Sequence, residues 1–225
     1  MQPTLYITPT PIGNYDDITL RALKILNEVD FIFCEELKPA NRLLAHFKIS
    51  KELISLNEHN EREIAGDVIS KIIEDGKSAA LISDGGTPLF SDPGHYLVEL
   101  CILNKIKIVP LPGANSLLPA LVSSGFDIEK FYYYGWLSPK NEIRKQEFQK
   151  LKKFKELIVI LETPYRLKKI LTDVITFFGA NQKIVLAYKL TMPEEQIFRN
   201  TTSNILKIVN EKNLKGEFVL LVDNR

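Results

Sequence analysis

The chain has 225 residues, of which 45% are hydrophobic and 25% charged, with a formal net charge of +1. That is enough chain for one large domain or two of about 100 residues each, in the proportions of an ordinary soluble globular enzyme. No apolar run approaches the roughly 18 residues that span a bilayer, and Met1-Gln2-Pro3-Thr4 opens with neither a basic region nor a cleavage signature, so a membrane span and secretion are not expected and a cytoplasmic location is. Cys34 and Cys101 lie in apolar runs, too few and too scattered for a metal site or a disulfide framework, and read as buried thiols.

Short apolar runs alternate with helical periodicity along the whole chain. A strand is predicted over 5–8, followed by Thr8-Pro9-Thr10-Pro11-Ile12-Gly13-Asn14 and a helix over 18–27 that Asp16 or Asp17 could cap. Next come a strand over 31–34, the segment Glu35-Glu36-Leu37-Lys38, a helix over 39–47 and a strand over 53–56. A helix over 61–74, stopped by Gly76, leads to a strand over 79–83 and the loop Ser83-Asp84-Gly85-Gly86-Thr87-Pro88-Leu89-Phe90-Ser91-Asp92-Pro93-Gly94. Then follow a helix over 95–104, a strand over 107–110, Pro110-Leu111-Pro112-Gly113-Ala114-Asn115-Ser116 and a helix over 116–123 that Gly125 can stop. Beyond it lie strands over 131–134 and 157–161 separated by a helix over 143–153, then Glu162-Thr163-Pro164-Tyr165-Arg166 and a helix over 166–177. Strands over 184–189 and 196–200, a helix over 203–211 and a strand over 218–222 complete the pattern. The alternation argues for an α/β fold with a largely parallel sheet in the first half. The closer spacing of the later strands suggests antiparallel pairing and a second α/β unit. The boundary is expected near Pro112–Gly113, giving domains 1–112 and 113–225.

Four strands thus end in Pro- or Gly-bearing loops. One such loop would be ordinary turn punctuation. Four suggest a rigid crevice walled by backbone and small side chains, at the place where open α/β sheets bind ligands. The chain lacks a P-loop, a dinucleotide fingerprint, a zinc-protease helix and a hydrolase elbow, and His46, His59 and His95 have no metal-ligand spacing. No metal is expected. A crevice without a phosphate signature suits the adenosine and methionine parts of S-adenosylmethionine (AdoMet).

The combination PTPIGN, then C-E-E-L-K, then SDGGTPLFSDPG, PLPGANS and ETPYR resembles the RsmI-type ribosomal RNA small subunit methyltransferases, members of the tetrapyrrole (corrin/porphyrin) methylase superfamily. The motifs run in order over nearly the full chain. The resemblance implies two α/β domains with AdoMet in the cleft between them, and 2′-O-methylation of a cytidine ribose in 16S rRNA by a homodimer. It further implies cofactor contacts at Pro11, Gly86, Thr87, Phe90, Ser116, Leu117, Ala187 and Gly216. Two departures bear on specificity. Where the family typically reads E-D-T-R, this chain has Glu35-Glu36-Leu37-Lys38, which keeps charge but loses the bidentate guanidinium fork. Typical members also carry a further C-terminal extension beyond the point matched by Val222-Asp223-Asn224-Arg225, and its absence would weaken or redirect RNA binding.

A neutral ribose hydroxyl is a poor nucleophile, so a general base or strong acceptor should assist it. The candidates are Glu35, Glu36 and Asp84 at C-terminal strand ends. Glu35 could instead cap a helix or pair with Arg42, and Asp84 could cap a turn; no base is singled out. Asp92, just before Pro93, is expected to stabilise its loop. For the acceptor, ten basic residues against four acids between Lys140 and Lys169 give a local charge of +6. Such a field suits an anionic partner, although a solvated helix face has the same composition. Lys38, Arg144, Lys145, Lys150, Lys152 and Lys153 are the expected RNA contacts, with Ile143, Phe148 and Leu151 forming the apolar face of their helix. The run Tyr132-Tyr133-Tyr134 with Trp136 could stack on an unpaired base, with at least half of it in the core. Arg166 could hold phosphate or pair with Glu162. Two other readings stay open: AdoMet-dependent methylation of a tetrapyrrole or other small acceptor, and an RNA- or ribosome-binding module with altered catalysis.

Overall fold

The computed structural model describes residues 3–90 and 92–225. The chain divides into two compact units, Met1–Asn115 and Ser116–Arg225. The expected boundary turn, Pro112–Gly113, lies just before that division. Among the described residues, no helix is long and apolar enough to cross a membrane.

The first unit is built on a five-stranded, wholly parallel sheet. Its strands are β1 (Thr4–Ile7), β2 (Phe31–Cys34), β3 (Glu52–Ser55), β4 (Ser78–Leu81) and β5 (Lys107–Pro110), in the order β3-β2-β4-β1-β5. Alternate residues of each strand point to opposite faces, and both faces are apolar, as a parallel sheet covered on both sides requires. Leu5, Ile7, Phe31, Phe33, Ala79 and Leu81 pack with α3 (Glu61–Glu74) and α4 (His95–Leu103). Ile32, Cys34, Ala80 and Ile82 pack with α1 (Leu20–Glu28) and α2 (Leu37–His46). Cys34 and Cys101 are both buried free thiols, one in each of these two layers. The chain leaves β1 towards β2 on one side and leaves β4 towards β5 on the other. The carboxyl ends of β1 and β4 are therefore the topological switch point of this sheet.

One cap differs from expectation. Asp16 and Asp17 lie in a separate 3₁₀ turn, Tyr15–Asp17, started by the Asn14 side chain accepting the Asp16 N–H at 3.1 Å. Thr19 caps α1 instead, its hydroxyl oxygen accepting the Ala22 N–H at 3.0 Å. Gly76 (φ 61°) and Gly125 (φ 78°) adopt the left-handed conformation that ends a helical turn.

The second unit carries a mixed sheet in the order β6-β7-β10-β8-β9. These strands are β6 (Phe131–Trp136), β7 (Leu157–Glu162), β8 (Lys183–Tyr188), β9 (Gln196–Thr201) and β10 (Phe218–Asp223). β6 and β7 are parallel; β10 is antiparallel to β7 and β8, and β8 to β9, as the close spacing of the late strands suggests. Between them run α5 (Leu117–Val122), α6 (Asn141–Leu151), α7 (Leu167–Phe178) and α8 (Thr202–Glu211). Phe148, Leu171, Val174, Ile205 and Val209 from the last three meet Ile158, Ile160, Leu186 and Leu220 of the sheet in one core.

Candidate functional site

The loops after β1, β4 and β5 are tied into one body. Thr10 and Gly86 form an isolated antiparallel bridge, each N–H donating to the other's carbonyl at 2.9 Å. The Thr10 hydroxyl donates to the Ser83 carbonyl at 3.0 Å, the Ser83 hydroxyl to the Gly86 carbonyl at 3.1 Å, and the Thr87 hydroxyl to the Ala114 carbonyl at 3.1 Å. The main-chain groups of Thr10 and Gly86 thus satisfy each other, so Gly86 contributes shape rather than a donor. At φ 98° it sits where an L side chain is strained, and an added Cβ would stand 3.3 Å from Ile12 Cγ2. A Cβ on Gly113 would lie 2.5 Å from Pro9 Cβ, so the loops of β1 and β5 can touch only because residue 113 has no side chain. Pro11 reaches the same cluster, its carbonyl oxygen 3.5 Å from where a Cβ on Gly85 would lie, and the Phe90 ring, in the same loop as Gly85, is 38% exposed.

Acids gather at the carboxyl ends of β2 and β4. Asp84 Oδ1 accepts the Glu36 N–H at 3.3 Å, and the Glu35 carbonyl accepts the Ser55 hydroxyl at 3.1 Å. Burial first, then the Asp84, Glu36 and Glu58 charges, raise the Glu35 pKa. Burial also raises that of Asp84, against the Glu36 N–H that favours its ionised form. Asp92 is pushed up to about 6, chiefly by burial and then by Glu35 and Asp84. It therefore belongs electrostatically with those two acids, beyond the loop-stabilising place that Pro93 suggests; the signal in the sequence is a second acid in the same glycine-rich loop as Asp84. Glu36 supplies its backbone to Asp84 and begins α2 without a side-chain cap. Arg42 makes no ion pair with Glu35 among the described residues. It instead walls a pocket of about 130 Å³ with Thr10, Pro11, Tyr15, Ser83 and Asp84. Sites for drug-sized ligands occupy roughly 300–1,000 Å³, so this pocket alone suits one small group rather than a whole nucleoside cofactor.

The raised Asp92 pKa carries a pH dependence. Its folded value of about 6 exceeds the ordinary 3.8, so folding favours the protonated acid. Stability is highest with the group neutral and falls as pH rises from about 4 to 6. A difference of about two pH units corresponds to about 2.7 kcal/mol, reduced here to ~1–2 kcal/mol by partial solvent access. Asp92→Asn should therefore raise the melting temperature by about 2–6 °C at pH 7.5 and leave it unchanged at pH 4. Equal shifts at both pH values would contradict the assignment.

In the second unit Ser116 is the N-terminal flanking residue of α5 and Leu117 its first residue. Ala187 is buried in β8 opposite Val219 of β10. Gly216 lies at the same end of that strand pair, where an added Cβ would stand 2.7 Å from Lys189 Cε and 2.8 Å from the Tyr188 hydroxyl. Within its own unit, then, Gly216 is explained by close packing.

The basic segment is only partly a surface. Lys38, Lys145, Lys150, Lys152 and Lys153 are exposed, Lys145 pairing with Glu142 at 3.2 Å. Arg144 is a correction: its side chain is fully buried, and all three of its guanidinium nitrogens donate within the protein. Nε donates to Asp173 Oδ2 at 2.8 Å, Nη1 to the Ser138 and Pro139 carbonyls, and Nη2 to Asn141 Oδ1 at 2.7 Å. Arg144, Phe148 and Leu151 share one buried face at helical spacing, whereas Ile143, expected there, is 44% exposed. Helix α6 stops at Leu151, which leaves Lys152 and Lys153 beyond its last turn. Arg166 is likewise structural, 2.9 Å from the buried Glu162 and donating to the Leu137 and Ser138 carbonyls. Of the tyrosine run, Tyr132 stacks on Phe154 with centroids 4.4 Å apart.

The tetrapyrrole (corrin/porphyrin) methylase family profile matches residues 4–206. Proteins named ribosomal RNA small subunit methyltransferase I are similar over almost the whole chain. That of Synechocystis sp. is 39% identical over 97% of this chain and 78% of its own length. The Vibrio cholerae protein is 40% identical over 98% and 77%, and a Streptococcus pyogenes one 42% over 97% and 76%. Among solved structures, uroporphyrin-III-C-methyltransferase from Thermus thermophilus has a TM-score of 0.69 at 18% identity, covering 99% of this chain and 95% of that one. Cobalt precorrin-4 methyltransferase has a TM-score of 0.70 at 19% identity, covering 97% and 94%. At these identities the structures speak for the fold alone.

Proposed function

The chain belongs to the tetrapyrrole (corrin/porphyrin) methylase family, and on that premise we propose that it methylates small-subunit ribosomal RNA with AdoMet as donor, at a cytidine ribose 2′-hydroxyl of the 16S molecule. The observation that carries the reading is the 39–42% identity, over 97–98% of this chain and 76–78% of the relatives' length, to proteins bearing the rRNA methyltransferase name. A homodimer is the assembly, and the cytoplasm the location, that accompany this reading.

The residues present fit such a cofactor. The loops 8–14, 83–90 and 111–115 contain no lysine or arginine of their own, and Arg42 of α2 is the cation that shares their pocket. They offer a fixed backbone surface, the Phe90 ring and nearby acids, which suits a ligand bearing a sulfonium and an ammonium. When bound, AdoMet supplies an electrophilic methyl group. The chain's own part is positioning: the Thr10–Gly86 bridge and the Thr87–Ala114 bond hold three loops in one geometry before any ligand arrives. Proton removal from the acceptor hydroxyl falls to the carboxylates of Glu35, Glu36 or Asp84. Burial makes Glu35 and Asp84 better bases than ordinary carboxylates. The exposed Lys38, Lys145, Lys150, Lys152 and Lys153 serve the RNA backbone.

The decisive experiment incubates the protein with labelled AdoMet and isolated small subunits, naked 16S rRNA or a tetrapyrrole. Label should enter RNA at a position that then resists alkaline cleavage, because a 2′-O-methyl removes the attacking hydroxyl. Label confined to the tetrapyrrole would overturn the reading. Reversing Lys150, Lys152 and Lys153 to glutamate should weaken RNA binding about tenfold or more near 0.1 M salt and lower the salt slope by about two units. An unchanged slope would make that surface a solvated face only.

A further inference from the structure

Tyr165 stands 98% exposed in the second unit, and Trp136, the single tryptophan of the chain, is 46% exposed. Both belong to the carboxyl ends of adjacent parallel strands. Trp136 closes β6 in register with Leu161 of β7, and Tyr165 lies in the 3₁₀ turn Pro164–Arg166 that follows β7. The residues beside the two rings are bonded together: Arg166 Nη1 donates to the Leu137 carbonyl at 3.0 Å and Nη2 to the Ser138 carbonyl at 2.9 Å. The buried Glu162 anchors the same guanidinium at 2.9 Å, and Pro164 fixes the backbone before Tyr165. A flexible surface tyrosine would lose entropy on binding; this one is carried on a turn already braced on both sides. Close to it in the chain or in the neighbouring loop, Lys140, Lys168 and Lys169 are exposed and in no ion pair among the described residues.

We infer that Tyr165 and Trp136 form a stacking platform for unpaired bases of the RNA substrate, with Lys140, Lys168 and Lys169 taking the adjoining phosphates. The inference rests on the RNA reading above and specifies the form of RNA that the second unit grips. Exposed ring faces beside unpaired cations match the two chemistries of a single strand, base π-faces and backbone charge. A paired duplex hides those faces.

The test uses Trp136 itself as reporter, since no other tryptophan contributes to the emission. Titrating the full chain with an unstructured oligoribonucleotide should quench that emission saturably, and a duplex of the same length should quench it far less. Tyr165→Ala should weaken binding of the single strand by about five- to a hundredfold, Tyr165→Phe should restore it, and duplex binding should hardly move. Tyr165 is so exposed that its loss leaves the fold intact, which a matching thermal melt verifies. Equal quenching by heparin, which has charge but no bases, would overturn the platform. So would single-strand binding by filter assay that is unaffected by Tyr165→Ala, and that outcome would leave the RNA reading standing. No RNA binding in either assay would remove both.

Discussion

Arg144→Ala is expected to destabilise the protein by about 3–5 kcal/mol, because it strands the partners of a fully buried guanidinium. Asp173, only 17% exposed, would keep its charge without a counter-ion, and the Ser138 and Pro139 carbonyls and the Asn141 side chain would lose their donor. The total stability of a typical domain is about 5–15 kcal/mol, so the loss is a large fraction of it. Urea denaturation should show the midpoint falling, while the RNA affinity of the protein that remains folded stays near wild type. Arg144→Lys should recover little, since one ammonium cannot reach four acceptors in a planar fork. An unchanged midpoint would refute the structural role, and a selective loss of RNA affinity would return Arg144 to the binding surface.

The second large effect is expected at Gly86. Gly86→Ala forces a side chain into φ 98°, at a cost of about 1–3 kcal/mol, and brings a methyl against Ile12 and towards the Ala114 carbonyl. The bridge to Thr10 must shift, and with it the relation between the loops of β1 and β4. AdoMet affinity measured by calorimetry should fall about tenfold or more, with a smaller loss of melting temperature. Gly113→Ala offers a control of different character: its Cβ meets Pro9 at 2.5 Å, a ring that cannot swing away, so stability should fall first and binding as a consequence. Wild-type AdoMet affinity in Gly86→Ala would place the cofactor elsewhere.

The acids show how far pattern reading reaches. Glu35 and Asp84 are visible in the sequence because each follows a buried strand, where a parallel sheet presents its functional ends. That Asp84 caps the amide of Glu36, and that Asp92 feels both Glu35 and Asp84, depends on β2 and β4 being neighbours, which no local signal states. The same limit explains the first helix. Asp16 and Asp17 are good caps by residue type, but Asn14 closes a separate turn over them, leaving Thr19 to begin α1.

Sequence by itself determined the alternation of strands and helices, the four Pro- and Gly-bearing loops and the order of motifs, because dihedral freedom, turn chemistry and hydrophobic period act over a few residues. Tertiary structure alone decided which charges are free. Arg144 and Lys150 belong to the same helix and carry the same charge, yet one is buried against Asp173 of α7 and the other stands in water. The spacing Arg144-Phe148-Leu151 hinted at that outcome, but composition counted all ten cations as one surface. Burial of a charge depends on a partner 29 residues away in sequence, and only the packed helices bring that partner within 2.8 Å.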